Sequence, residues 1–251
     1  MVGTARSPET SRLQMEAKRG SPSPFAWVEM DCSIPDSIQR GFDQAHKLLG
    51  GIDILINNAG YGELGSVEDT DLSASRRLFE VNYFSAVSLI KKVLPSMREN
   101  RSGVIINLGS IVQELHFPFK AQYCASKAAL AAFSQSLRYE LFPFGIRVHI
   151  LEPGWVRTHF HEHLVPVIKP GSVYAEKLKP YLDFSRDTNP SIPDGEDVAR
   201  MILSVLEKPN SPVRIPVGRE AKTFQIVRRV LGPALLDKLL LWKLGKKGQS
   251  L

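Results

Sequence analysis

Two cysteines in 251 residues, Cys32 and Cys124, are too few and too widely separated for a disulfide framework, and with no Cys-x-x-Cys they offer no thiolate metal site. That sparing use fits a reducing compartment. No apolar run approaches the roughly 20 residues that a membrane-spanning helix needs, and the first residues lack the apolar centre of a signal peptide. The expectation is a soluble, cytoplasmic chain. Charge is not gathered in one block either: the net +6 arises from Lys and Arg scattered along the chain, and no nucleic-acid-binding motif accompanies it, so nucleic acid is not an expected partner. His159, His161 and His163 alternate, but no Cys or acidic ligands follow at structural-site spacing, so no metal is expected.

What is present is an ordinary globular composition, 43% hydrophobic and 23% charged, with no shift along the chain to mark a second domain. Short apolar runs alternate with helical periodicities. Ile38, Phe42, Ala45 and Leu49 form one helix face that Gly50 stops, and Ile52–Ile56 then reads as a strand. Leu78, Val81, Val87, Ile90 and Leu94 point inward from a helix spanning about 72–97, before a buried strand at Val104–Asn107. Leu130, Phe133, Leu137 and Leu141 give a third helix, over 122–142, and Arg147–Leu151 the strand after it. Strands alternating with helices in this way predict a single α/β domain built on a parallel, doubly wound sheet.

The chemistry concentrates between Asn107 and Lys127. Ser110 falls just past a strand end, and Tyr123 lies in a first helical turn. Lys127 follows four residues later on the same helix face, about 5–6 Å away at Cβ. A free Tyr titrates near ~10, and a neighbouring ammonium favours the phenolate, lowering that value toward the range where the phenol works as acid or base. Ser110 can then hold a substrate oxygen. Taken alone, Tyr-x-x-x-Lys is also what a surface pair on an ordinary helix looks like. Cys124, beside the tyrosine, reads as a packing residue. Asn82 sits mid-helix, where Asn is intrinsically unfavourable and needs a partner for its amide, either a nearby backbone group or a functional one.

The pattern does not stand alone. Ile52-Asp53-Ile54-Leu55-Ile56 runs into Asn57-Asn58-Ala59-Gly60, and Leu151-Glu152-Pro153-Gly154 follows the later strand. With Asn82, Ser110, Tyr123 and Lys127, these segments resemble the short-chain dehydrogenase/reductase family over roughly residues 1–218, four motifs matching in order and at family spacing. The resemblance implies a Rossmann-like sheet and carbonyl–alcohol interconversion by hydride transfer with a nicotinamide cofactor. It also implies a homodimer or homotetramer. In it Ser110 orients and polarises the substrate oxygen, Tyr123 moves the proton, Lys127 tunes Tyr123 and holds the nicotinamide ribose, and Asn82 keeps a water that links Lys127 to solvent. Asn58, Ala59 and Gly60 turn beneath that ribose. Pro153, Gly154 and Val156 belong to the segment that closes on the nicotinamide amide, and Thr158 to the contact with the pyrophosphate or carboxamide.

Val2–Arg6 corresponds to the family's second strand, with Ser7 as N-cap and Pro8 at the first helical position. The family's first strand, glycine-rich turn and first helix have no counterpart, so the expected fold lacks the first βα unit, and with it the backbone N–H groups that approach a pyrophosphate. Two accounts fit: Met1 is an internal position of a longer protein, or a natural short form has lost cofactor binding. The first is preferred. Arg6 ends its strand where the family uses an acidic residue to select NAD(H) and a basic one to pair the extra phosphate, so Arg6 favours NADP(H) over NAD(H). Asp31, after the strand at 25–30, matches the position that meets the adenine ring.

The loop from Ile111 to Phe119 carries Val112, Leu115, His116, Phe117 and Pro118, a composition that suits a bulky, apolar substrate if it faces the site and a core if it does not. From His159 to about Ser191 no clean strand is evident, which fits a substrate lid. Residues 219–251 form a basic amphipathic tail, with Val227, Leu231, Leu235, Leu239 and Trp242 set among Arg and Lys and broken at Gly232-Pro233. Such a helix can lie on an anionic membrane surface or dock on its own domain or a subunit partner, and the membrane is the less favoured of these. The rival to an enzyme is a non-catalytic member of the same fold that has lost dinucleotide affinity and binds a ligand or protein partner.

Overall fold

The centre of the fold is strand β5, Gly103–Leu108, buried at all six positions. Gly-Val-Ile-Ile-Asn-Leu shows no polar alternation because helices cover both of its faces. β3 (Ile54–Asn57) pairs parallel to it on one side, β6 (Ile146–Pro153) on the other, and β8 (Arg214–Val217) lies beyond β6, giving a four-stranded parallel sheet of order β3-β5-β6-β8. The protein is seen here as a computed structural model describing residues 1–22, 25–157, 164–185 and 193–248.

Successive β5 side chains serve opposite layers, as the strand period requires. Ile105 packs with Ile90, Val93 and Met97 of α4 (Ser85–Glu99) and with Leu137 and Leu141 of α5 (Ala121–Leu141). Val104, Ile106 and Leu108 pack on the other face with Leu151, Ile215 and Val205, the last from α7 (Gly195–Glu207). Each such aliphatic side chain contributes about 1.5–3 kcal/mol when fully buried, so this double-sided sheet carries most of the stability. α7 starts on a capping box in which Asp194 accepts from the backbone of Glu196 and Asp197, with acidic residues suited to the helix dipole.

β1 (Val2–Ala5) and β2 (Ala26–Glu29) make a separate two-stranded parallel sheet, joined by α1 (Pro8–Arg19). The single sheet expected from the sequence is thus divided between β1 and β3, because no described strand lies between them. α2 (Pro35–Leu49) packs on β1 and β2 and also on α4, and so ties the two sheets together.

Three local expectations change. The helix expected over about 72–97 is α3 (Leu72–Phe79), then a π-helical turn at Glu80–Phe84, then α4. Asn82 is in that turn, where one extra residue is accommodated. The supposed strandless lid contains β7 (Val165–Val167), parallel to β4 (Glu63–Gly65), and α6 (Ala175–Ser185). A three-residue strand with Pro166 at its centre is permitted because it pairs on one side only. The tail forms α8 (Arg219–Gly248), kinked at Gly232, and its first turns pack on β8. No helix among the described residues is long and apolar enough to cross a membrane.

Candidate active site

At the carboxyl end of β5 the chain leaves the sheet through Gly109. A Cβ there would stand 2.7 Å from Gln113 Oε1 and 2.9 Å from Ile150 Cδ1, so the close passage requires glycine. Ser110 follows and caps a single 3-10 turn, Ile111–Gln113. Its Oγ accepts from the Val112 N–H at 3.3 Å, and Gln113 Oε1 accepts from the Ser110 N–H at 3.5 Å. Across from it, Tyr123 stands in the first turn of α5, 7% exposed, on the wall of the same cavity as Ser110.

Burial pushes the Tyr123 phenol well up, and the Ser110 hydrogen bond pulls it only part of the way back. The expected lowering by Lys127 is therefore corrected. The Lys127 ammonium is turned to the Leu108 carbonyl, to which it donates at 2.7 Å, and burial with no opposing charge brings it down to about 8. A buried lysine near neutrality is a proton-handling group in its own right.

Asn82, 1% exposed, clamps the turn after β3: its Oδ1 accepts from the Tyr61 N–H, and its Nδ2 donates to the Tyr61 carbonyl at 3.0 Å and to Ser126 Oγ at 3.1 Å. The backbone partner that its sequence position invited is found. It meets Lys127 only across Gly60, where an added Cβ would lie 3.1 Å from Asn82 Oδ1 and 3.3 Å from Lys127 Nζ. Asn57 donates to Asn107, which donates to Ser134, a buried chain of amides and hydroxyl linking β3, β5 and α5. Gly60-Tyr61-Gly62-Glu63-Leu64-Gly65 has the Gly-x-Gly-x-x-Gly spelling of a dinucleotide loop, but it leads into β4 and not into a helix, so it is not one.

A cavity of about 330 Å³ opens beside these groups, with Asn82 behind its wall rather than on it. Asn58, Gly60, Ser110, Tyr123, Lys127, Pro153, Gly154 and Val156 are all on its wall, with Ala59 in the same turn as Asn58 and Gly60. The bulky loop faces it through Ile111, Val112, Leu115 and Phe117. Arg6 and Asp31 stand apart, at the ends of β1 and β2. The Asp31 carboxylate accepts from Ser33 N and Oγ, which holds it below the usual range, with Arg6 a smaller influence in the same direction. Thr158 and the three alternating histidines lie outside the described residues, and among the described ones no cluster could hold a metal. Cys124 packs with Leu78, Val112 and Tyr123.

Sequence reasoning missed a buried polar network that fastens the serine loop to the C-terminal helix. Glu152, 2% exposed, accepts from Gln113 Nε2 and from Gln225 Nε2 of α8, both at 2.6 Å. Arg214 pairs with Glu152 and with Glu114, and Arg228 of α8 pairs with Glu114. The one available signal was a carboxylate, Glu152, following the apolar pair Ile150-Leu151 at the end of β6. Glu220 and Phe224 of α8 also reach the cavity wall, so the first half of the tail helps to build the site.

A parallel α/β sheet with a serine, a tyrosine and a lysine converging at the carboxyl ends of its strands defines a Rossmann-like oxidoreductase. The short chain dehydrogenase family profile matches residues 1–167, and the chain belongs to that family. It is 30% identical, over 97% of its own length and 89% of the other's, to an uncharacterized oxidoreductase, YusZ, of Bacillus subtilis. It is 32% identical to dehydrogenase/reductase SDR family member 7B of Xenopus laevis over 85% of this chain, which spans 62% of that protein. Retinol dehydrogenase 8 of Bos taurus is 35% identical over 66% of this chain and 55% of its own. Among solved structures, a short-chain dehydrogenase from Streptomyces avermitilis superposes with a TM-score of 0.78 at 28% identity, covering 99% of this chain and 89% of that one.

Proposed function

We propose that the protein is an NADP(H)-dependent oxidoreductase that interconverts a carbonyl and an alcohol on a bulky, largely apolar substrate. The observation that carries this reading is the convergence of Ser110, Tyr123 and Lys127 on the wall of one cavity. The residues fit the nicotinamide end of a dinucleotide: a phenol and an ammonium with no opposing charge face a cleft closed by Gly60 and Gly154, where a Cβ would crowd Asn82 and Lys127 or the Ala221 backbone. Asn58, Gly60, Tyr123 and Lys127 would hold the ribose, and Pro153, Gly154 and Val156 the amide. When bound, the cofactor supplies or accepts the hydride.

Each protein group then has a defined task. Ser110 Oγ and Tyr123 Oη together hold the substrate oxygen in a site where water is scarce, and hydrogen bonds count for more there than in bulk solvent. Burial keeps Tyr123 protonated, the state required to give a proton to that oxygen during reduction. In the oxidising direction the phenol must lose its proton, which the Ser110 side chain favours and burial opposes. Lys127, poised at about 8, passes protons onward through a water held near Asn82. Arg6, with no acidic residue between Val2 and Ser7, supports NADP(H) by pairing the extra phosphate. A homodimer or homotetramer is the oligomer we infer from the family.

The test is transfer of deuterium from NADPH labelled at the nicotinamide C4 to a panel of long-chain aliphatic ketones and aldehydes. The expected product is an alcohol labelled on its carbinol carbon. Absence of label from every member of the panel, with NADPH bound, would overturn the reading.

A further inference from the structure

Lys120 immediately precedes α5, three residues before Tyr123, and the catalytic set makes no use of it. Its side chain is 8% exposed and lines the same cavity as Ser110 and Tyr123. The ammonium sits over the Trp155 ring, 5.1 Å from its centroid, and forms no ion pair or hydrogen bond with any described residue. Glu220 lies on the wall of that cavity too, but no carboxylate is among the influences on the Lys120 ammonium.

A desolvated ammonium with three N–H donors and no acceptor is strongly unfavourable, and an aromatic face compensates only in part. Burial accordingly pulls Lys120 below its ordinary value. A protein keeps such a charge in a cavity at little disadvantage when a ligand brings the counter-charge. The same cavity presents the apolar side chains of Leu115, Phe117, Trp155 and Phe224. Oxygen-handling groups on one side, apolar walls, and a second ammonium that, unlike Lys127, donates to no acceptor among the described residues describe a ligand with three corresponding parts.

We propose that Lys120 is the anion-recognition group of the substrate site, and that the substrate is an apolar carbonyl or alcohol that also carries a carboxylate. This rests on the proposed function for the reacting end of the molecule, but the acidic end can be tested without it. The ammonium donates to the carboxylate while Trp155 shields the pair from water, so the interaction is charge-assisted in a dry setting. Neutral substrates of the same length leave the cation unmatched and are selected against.

The experiment is calorimetric titration of the full chain with decanoate and, separately, with decanamide, its neutral counterpart of the same length, in wild type, Lys120→Met and Lys120→Arg. Wild type is expected to bind decanoate about tenfold or more tightly than decanamide, as one charge-assisted hydrogen bond allows. Lys120→Met is expected to bind the two equally, and Lys120→Arg to keep the preference. Thermal melts of the three proteins show whether each is folded, and Lys120→Met should melt no lower than wild type because it removes an unmatched buried charge. Undetectable or equal affinities in wild type, or a decanoate preference that survives in Lys120→Met, would overturn the proposal. The titration needs neither cofactor nor turnover. A carboxylate preference without deuterium transfer would therefore remove the reaction and leave Lys120 standing, and transfer without the preference would do the reverse.

Discussion

The two parallel sheets of this protein are held in different ways. β5 is buried at every residue and flanked by β3 and β6, with helices on both faces, whereas β1 and β2 pair only with each other and β1 has no fully buried residue. Ile54 and Ile56 of β3, on the side toward the smaller sheet, are 45% and 39% exposed. Ser110, Tyr123 and Lys127 stand on β5 and α5, and Arg6 and Asp31 stand on the smaller sheet. On the proposed function, reaction geometry is tied to the stable core, and cofactor choice to a segment coupled to it mainly through α2. The two should respond to mutation independently.

The widest separation should come from paired truncations. Ile106→Ala opens a cavity in the middle of β5 and should destabilise by about 2–5 kcal/mol in urea melts, whereas Val2→Ala should cost under about 1 kcal/mol. Equal losses would break the comparison.

A smaller effect, specific to the catalytic side, depends on pH. Lys127 in the folded protein titrates at about 8, below its ordinary 10.5. The unfolded chain therefore binds more protons between these values, and stability should rise as pH increases from about 8 to 10.5. Below 8 the full penalty of charging the buried amine is present. Lys127→Met should abolish this rise, worth up to about 3 kcal/mol, when wild type and variant are compared at each pH. Cys124, Tyr61 and Tyr123 are shifted up and oppose the rise, and Lys120 is shifted down and adds to it, but they do so in both proteins and cancel in the difference. A difference independent of pH would show that Lys127 is not held in this way.

Glu152→Gln weakens the anchor between the serine loop and α8 and should cost about 1–3 kcal/mol, because Arg214 loses a charged partner. Turnover should fall with it, and NADPH affinity should stay the same, which calorimetry and initial rates together would show. The smallest effect belongs to the smaller sheet. Arg6→Ala should weaken NADPH binding about five- to tenfold, leave NADH nearly unchanged, and move the melting temperature little, in keeping with one exposed charge–phosphate contact.

The main sheet and the meeting of Ser110, Tyr123 and Lys127 at one cavity were legible because the signals are local: an unbroken apolar run in β5, a helical repeat in α5, and Tyr123 and Lys127 one turn apart. Elements that depend on distant partners were not. β7 forms because Gly62 and β4 are at hand, and nothing in Val165-Pro166-Val167 alone announces it. Arg214 meets Glu114 across 100 residues, and Arg228 finds Glu114 only once α8 has packed on β8. The direction of the Tyr123 shift was misjudged because spacing reports which residues are neighbours but not how deeply they are buried, or that Lys127 would turn to Leu108. Asn82 was recognised as anomalous from its position, and the π turn explains how a helix accommodates it.

The central claim is that Tyr123 moves the substrate proton while the rest of the site holds the cofactor. It is tested most directly by measuring NADPH affinity and ketone turnover side by side in wild type and Tyr123→Phe. The account predicts a dissociation constant within about threefold of wild type, since one hydrogen bond among several is lost, and turnover reduced by about a thousandfold or more. Turnover close to that of wild type in the phenylalanine variant would contradict it.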